Sequence, residues 1–135
     1  MSFLGWPYDI KNMHEFYGIQ KKFDELPVDK LKASLELRKT MLAEELKEFD
    51  TATTAEEAVD ALIDLCVFAV GTLVAFGVDA EKAWDEVLIA NMTKEVGVKP
   101  GRPNPLGLPD LIKPEGWEAP SHEGNHGRFT EIYGE

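Results

Sequence analysis

The chain is short of cysteine, of positive charge and of histidine, and each shortage removes a class of function. A single cysteine, Cys66, excludes an internal disulfide framework and a cysteine-rich zinc site. It lies in an apolar run and reads as a small buried hydrophobe. Lys and Arg number 14 against 25 Asp and Glu, a formal net charge of −11. That balance argues against nucleic acid or an anionic membrane as a partner. No basic, apolar leader opens the sequence, and the longest uncharged stretch, Leu65 to Val78, is shorter than the roughly 20 residues of a membrane span. A reducing cytoplasm is the expected setting.

Helix breakers are scarce in the first part of the chain and crowded in the rest. Six of the eight prolines and seven of the eleven glycines lie from Gly97 onward. At 135 residues one domain is expected. It divides into a helical core over 1–99 and an extended Pro/Gly-rich C-terminal arm over 100–135, with a short strand around Leu108 to Ile112. Four helices are expected in the core. The first runs from Asp9 to Gln20, and the second from an Asp29 N-cap to Asp50. The third runs from a capping box, Thr54-Ala-Glu-Glu57, to Phe76, with Gly77 as its C′ residue. The fourth starts at Asp79 and ends near Gly97. Short links between them indicate an all-α four-helix bundle.

What the chain does have is acid in apolar places. On a helical wheel the second helix carries Leu31, Leu35, Leu37, Met41, Leu42, Leu46 and Phe49 on one arc. Glu45 falls inside that arc and Glu48 near its edge, so the two, at i and i+3, can converge on one ion. Glu44 lies just beyond the margin. Arg38 shares the arc and can either pair with Glu45 or reach a substrate phosphate. The third helix is nearly all apolar after Ala58, yet it contains Asp60 and Asp64 at i and i+4. Glu57 is on the same stripe, but the capping box already gives it a backbone partner. Buried charge without a partner costs several kcal/mol, so such acids are paired, protonated or metal-bound. An all-carboxylate set suits a hard cation, Mg²⁺ or Mn²⁺, which commonly binds substrate phosphates as well. On the fourth helix Asn91 and Lys94 supply an amide and an ammonium, both suited to phosphate oxygens.

Glu44-Glu45-Leu-Lys-Glu48, then Asp60-Ala-Leu-Ile-Asp64, then Asn91-Met-Thr-Lys94, in that order, resemble the MazG-like all-α nucleotide pyrophosphohydrolases. That superfamily includes phosphoribosyl-ATP pyrophosphohydrolase, dimeric dUTPases and dCTP pyrophosphatases. VGTLVAFGVD, EVLIANMTK and KPEGW look most like its small phosphoribosyl-ATP-pyrophosphohydrolase-like members. The resemblance implies Mg²⁺-dependent attack of water on a (deoxy)nucleoside triphosphate, releasing the monophosphate and pyrophosphate. It implies that Glu45, Glu48, Asp60 and Asp64 hold the metal, one of them also orienting the water, and that Asn91 and Lys94 touch phosphate. It further implies a base pocket from Trp6, Phe16 and Phe68, with His14 near the base or sugar; a plain surface role for His14 is the alternative. His122 and His126 read as solvated. The family pattern has Glu-x-x-Asp in the second acid pair, whereas here Ala61 occupies the Glu position and the acid stands at Asp60. Family members are dimers or tetramers, and Gly71 would permit close helix approach in such an assembly.

Two further readings stay open within the family or fold: phosphoribosyl-ATP hydrolysis, and a non-catalytic helical interaction module. A ferritin-like di-iron bundle needs Glu-x-x-His pairs, and the sequence has none.

Overall fold

The computed structural model describes residues 5–134. Among them the elements run α1 Trp6–Phe16, α2 Ile19–Asp24, α3 Val28–Thr51, α4 Ala55–Ala75, α5 Ala80–Met92, β1 Glu95–Gly97, β2 Asp110–Ile112, a 3-10 turn Gly127–Phe129 and α6 Thr130–Tyr133. The fold is all-α apart from the two-stranded ribbon. The chain forms two units: the described residues up to Ala80 together with those from Gly124 onward, and Glu81–Glu123.

In the first unit, local chemistry decides where helices stop. The single helix expected over Asp9 to Gln20 is two helices, because Gly18 takes the left-handed conformation (φ 71) and its N–H closes on the Glu15 carbonyl. α3 begins at Val28 with Pro27 in the cap position, whose carbonyl accepts from Leu31 N–H at 2.9 Å. Asp29 is therefore in the first turn, where a carboxylate complements the positive helix end. Thr54 caps α4: its hydroxyl accepts from Glu57 N–H at 3.1 Å, and the Glu57 carboxylate accepts from Thr53 N–H at 3.1 Å. At the other end Gly77 N–H bonds Val74 O and Val78 N–H bonds Leu73 O, the paired bonds of a Schellman motif around Gly77 (φ 79).

The core gathers Phe23, Leu31, Leu35, Ala75 and Phe76. Leu31 and Leu35 come from the start of α3, Ala75 and Phe76 from the end of α4, so the two helices run antiparallel. Fully buried Phe76 meets Phe23 edge-on at 5.1 Å and stacks on Phe129 at 4.1 Å. Burying each such ring contributes about 1.5–3 kcal/mol. The apolar arc of α3 is not evenly buried as the wheel suggested. Leu37, Leu46 and Phe49 are exposed, as are Val59, Leu62 and Ile63 on the facing part of α4. Apart from Ala61, the buried residues of the two helices lie toward the end that carries Leu31, Leu35, Ala75 and Phe76. By length and composition α4 could cross a membrane, a longer candidate than its uncharged run suggested. Its first half, however, carries Glu56, Glu57, Asp60 and Asp64, which a lipid-facing helix excludes.

The C-terminal segment is not the plain extended arm expected from its glycines. Residues 127–133 coil and dock on the core. The Arg128 N–H donates to Phe76 O at 2.7 Å, and its guanidinium donates to Phe23 O at 2.8 Å and Leu26 O at 2.6 Å. The same guanidinium bonds Glu131 and holds that carboxyl below its ordinary range. Gly127 (φ 53) passes so close to the Phe76 carbonyl that any side chain would collide with it.

In the second unit α5 stops at Met92 rather than near Gly97, because Glu95–Gly97 pairs antiparallel with Asp110–Ile112. Gly97 accepts Ile112 against its backbone, with Cδ1 only 2.7 Å from where a Cβ would be. Asp110 pairs with Arg102 at 3.6 Å and Lys99 at 4.0 Å. The Trp117 indole donates to Ala90 O at 2.8 Å, tying the KPEGW stretch to α5.

Removing the Arg128 guanidinium strands two carbonyls. Arg128→Ala is expected to lower unfolding free energy by about 2–3 kcal/mol, read from urea midpoints at constant slope. Arg128→Lys should restore only part, since one ammonium lacks the planar fork. Thr54→Ala should cost about 1 kcal/mol in the same assay.

Candidate metal centre

On the half of the hairpin nearer its 52–54 turn, α3 and α4 bring three acids together. Glu45 and Glu48 project from successive turns of α3, and Asp64 faces them from α4. One carboxylate oxygen from each lies within 4.8 Å of the others. Glu45 and Asp64 are half-buried and Glu48 is exposed, so the acids line an open seam rather than a sealed interior. No Lys or Arg forms an ion pair with any of the three among the described residues. Glu45 Oε2 is closed off from solvent with no hydrogen-bond partner. The Glu45 carboxyl is pushed up to about 7, first by hydrogen bonding with Glu48, then by loss of water, then by the charges of Glu48, Asp64 and Asp60. Surface acids are often metal-free. This trio differs in having an orphaned oxygen and no counter-cation among the described residues, so the donors fit a hard divalent cation.

The other candidates fall at different places. Asp60 is exposed and outside the trio, although its charge acts on Glu45. Glu44 is exposed on the outer side of α3. The Glu57 carboxylate is engaged with Thr53 N–H. Phe68 is half-buried one turn beyond Asp64, and its carbonyl accepts from the Thr72 hydroxyl at 2.7 Å. Trp6 and Phe16 stand exposed, and the ring contact Phe16 makes is with Tyr17. In the second unit Asn91 is exposed, and the Lys94 ammonium lies 5.3 Å from the centre of the Trp117 ring, which Lys113 also approaches at 5.0 Å.

For Arg38 and His14 one of two open alternatives is removed, and for His122 the expectation is corrected. Arg38 makes no ion pair with Glu45 and lies instead against Gly71 of α4. His14 is not a surface residue: it is 3% exposed, because α1 packs along α4. Burial pushes its imidazole below the ordinary range, Arg38 adds to this, and Gln20 opposes it. His122 is half-buried rather than solvated. Sequence reasoning missed Gly71 as the seat of Arg38 and His14, and assigned it to helix approach between subunits. A lone glycine inside a long apolar helix was the available signal.

A family model described as phosphoribosyl-ATP pyrophosphohydrolase matches residues 11–91, more than half of the chain and all of the α3–α4 hairpin. No curated protein and no solved structure matches.

Glu45 links the site to stability. Its carboxyl is raised from 4.5 to about 7, so the protonated form is favoured by folding. That contribution is complete below pH 4.5 and disappears as pH rises through about 7. In chelator, Tm is expected to fall across this window, and Glu45→Gln should flatten that fall. A divalent cation should raise Tm most above pH 7. Calorimetric melts of both proteins at several pH values check this.

Proposed function

The chain belongs to the phosphoribosyl-ATP pyrophosphohydrolase family, a group of phosphoanhydride hydrolases, and we propose that it is a Mg²⁺-dependent nucleoside triphosphate pyrophosphohydrolase. It converts a (deoxy)nucleoside triphosphate to the monophosphate and pyrophosphate. The observation that carries this reading is the trio Glu45, Glu48 and Asp64, converging without a cation on the helices that the family model spans.

Glu45, Glu48 and Asp64 would hold the ion, with Asp60 completing the set from the next turn. When bound, Mg²⁺ supplies charge neutralisation on the phosphates and a more acidic water. The carboxylates of the chain fix the approach of that water, and one of them accepts its proton. Phe68 and His14 are proposed on the nucleoside side, and Asn91 and Lys94 as phosphate contacts by resemblance. The apolar residues left open around the acids, Leu46, Phe49, Val59, Leu62 and Ile63, support self-association as a dimer or tetramer. Such an enzyme would be soluble and cytoplasmic. The family description supports phosphoribosyl-ATP as a second substrate.

A panel of dCTP, dUTP, dATP, dGTP and phosphoribosyl-ATP, assayed for pyrophosphate with Mg²⁺, tests both substrates. At least one is expected to turn over, with chelator abolishing activity. Glu48→Gln and Asp64→Asn should each lower kcat/KM by at least ~100-fold, a loss of roughly 2.7 kcal/mol in transition-state stabilisation. Unimpaired turnover by both variants would remove the metal-centre reading.

A further inference from the structure

Two turns along the same seam lies a cluster that the metal centre does not use. Arg38 carries a half-buried guanidinium that makes no hydrogen bond or ion pair with a described residue. A Cβ on Gly71 would lie only 3.2 Å from Arg38 Nη1 and 3.6 Å from His14 Nε2. Three helices therefore set the group: α3 supplies it, α4 gives way beneath it through a glycine, and α1 walls it with His14. His14 is 3% exposed, its Nδ1 has no partner, and it brings no counter-charge. A partly desolvated cation without an oxyanion weakens the fold that holds it. A ligand oxyanion would satisfy it, and a planar guanidinium suits two phosphate oxygens at once.

The spacing fits such a ligand. Arg38 precedes Glu45 by seven residues on α3, and Gly71 follows Asp64 by seven on α4. At about 1.5 Å per residue, both helices place the guanidinium about 10 Å from the acids. A metal–oxygen bond of about 2 Å and a charge-assisted hydrogen bond of about 2.8 Å take up roughly half of that. The remainder suits phosphate oxygens at the two ends of a short polyphosphate.

We propose that Arg38, seated on Gly71 and against His14, receives the terminal phosphate of the substrate, so that the chain selects triphosphates over diphosphates. This rests on the pyrophosphohydrolase reading, which puts the scissile linkage at the acids. Arg38 is thus a specificity-determining residue, while Gly71 and His14 position it.

The test is calorimetric titration, with Mg²⁺, of an α,β-methylene nucleoside triphosphate and its diphosphate counterpart. Wild type is expected to bind the triphosphate at least tenfold more tightly. Arg38→Met should cut triphosphate affinity tenfold or more and diphosphate affinity less than twofold. Arg38→Lys should recover part of the loss, and Gly71→Ala, which presses a methyl on Nη1, should fall between wild type and Arg38→Met. Equal losses for the two ligands, or no loss for either, overturn the assignment. If circular dichroism shows Arg38→Met unfolded, Gly71→Ala and Arg38→Lys decide on the same criterion. Tight binding by a wild type that hydrolyses none of the nucleotides removes the reaction reading while the comparison still decides the subsite. No binding of either ligand by wild type overturns both.

Discussion

The register of α3 against α4 is the constraint on which the first unit depends. Leu35 shares the core with Ala75, Arg38 lies on Gly71, and Glu45 meets Asp64. Steps of three and then seven residues along α3 are matched by steps of four and then seven in the opposite direction along α4. The register is fixed at the end away from the turn, where Phe76 is held between Phe23 and Phe129. A slip by one residue would rotate every α3 side chain by about 100°. It would separate the carboxylates and set the guanidinium against a Cβ at once. Packing remote from the acids therefore positions them.

Charge along this seam is segregated by distance rather than neutralised. The acids repel one another and the nearest candidate cation, Arg38, is two turns away. Arg38 does not contribute to the displacement of Glu45, whose causes are Glu48, loss of water, Asp64 and Asp60. At about 10 Å, attraction between such groups is close to the screening length of physiological salt. Had the arginine been one turn nearer, it would have closed on Glu45 as an internal ion pair and removed the donor set's affinity for an external cation. The seven-residue interval leaves each cluster without the other as a neutralising partner.

Much of this could be read from residue order. The capping box, Gly77 as the C′ residue and the convergence of Glu45 and Glu48 on one helix face follow from short-range chemistry that the structure reproduces. Periodicity could not say which end of the α3–α4 hairpin is covered, because Leu37, Leu46 and Phe49 score as core whether or not another element lies over them. It could not separate α1 from α2, since Gly18 is one residue in an otherwise continuous helical pattern. The docked coil at 127–133 was hidden by its glycines: its conformation is held by Arg128 reaching carbonyls about a hundred positions earlier. The seat of Arg38 needed three helices at once, which no wheel of a single helix contains. Asp60 stands one turn before Asp64, outside the trio, with its charge still acting on Glu45.

Asp79 and Asn125 exchange two bonds, Asp79 N–H to Asn125 Oδ1 at 2.8 Å and Asn125 Nδ2 to Asp79 O at 2.9 Å. An amide side chain there imitates a rung of a β-ladder and staples the outgoing chain to the returning one. Topologically, the residues between are an insertion, entered and left through a single doorway in the first unit. The entropy of closing such a loop grows only logarithmically, about 0.6 kcal/mol for each doubling of length. The length of the inserted segment therefore bears little on the stability of the hairpin.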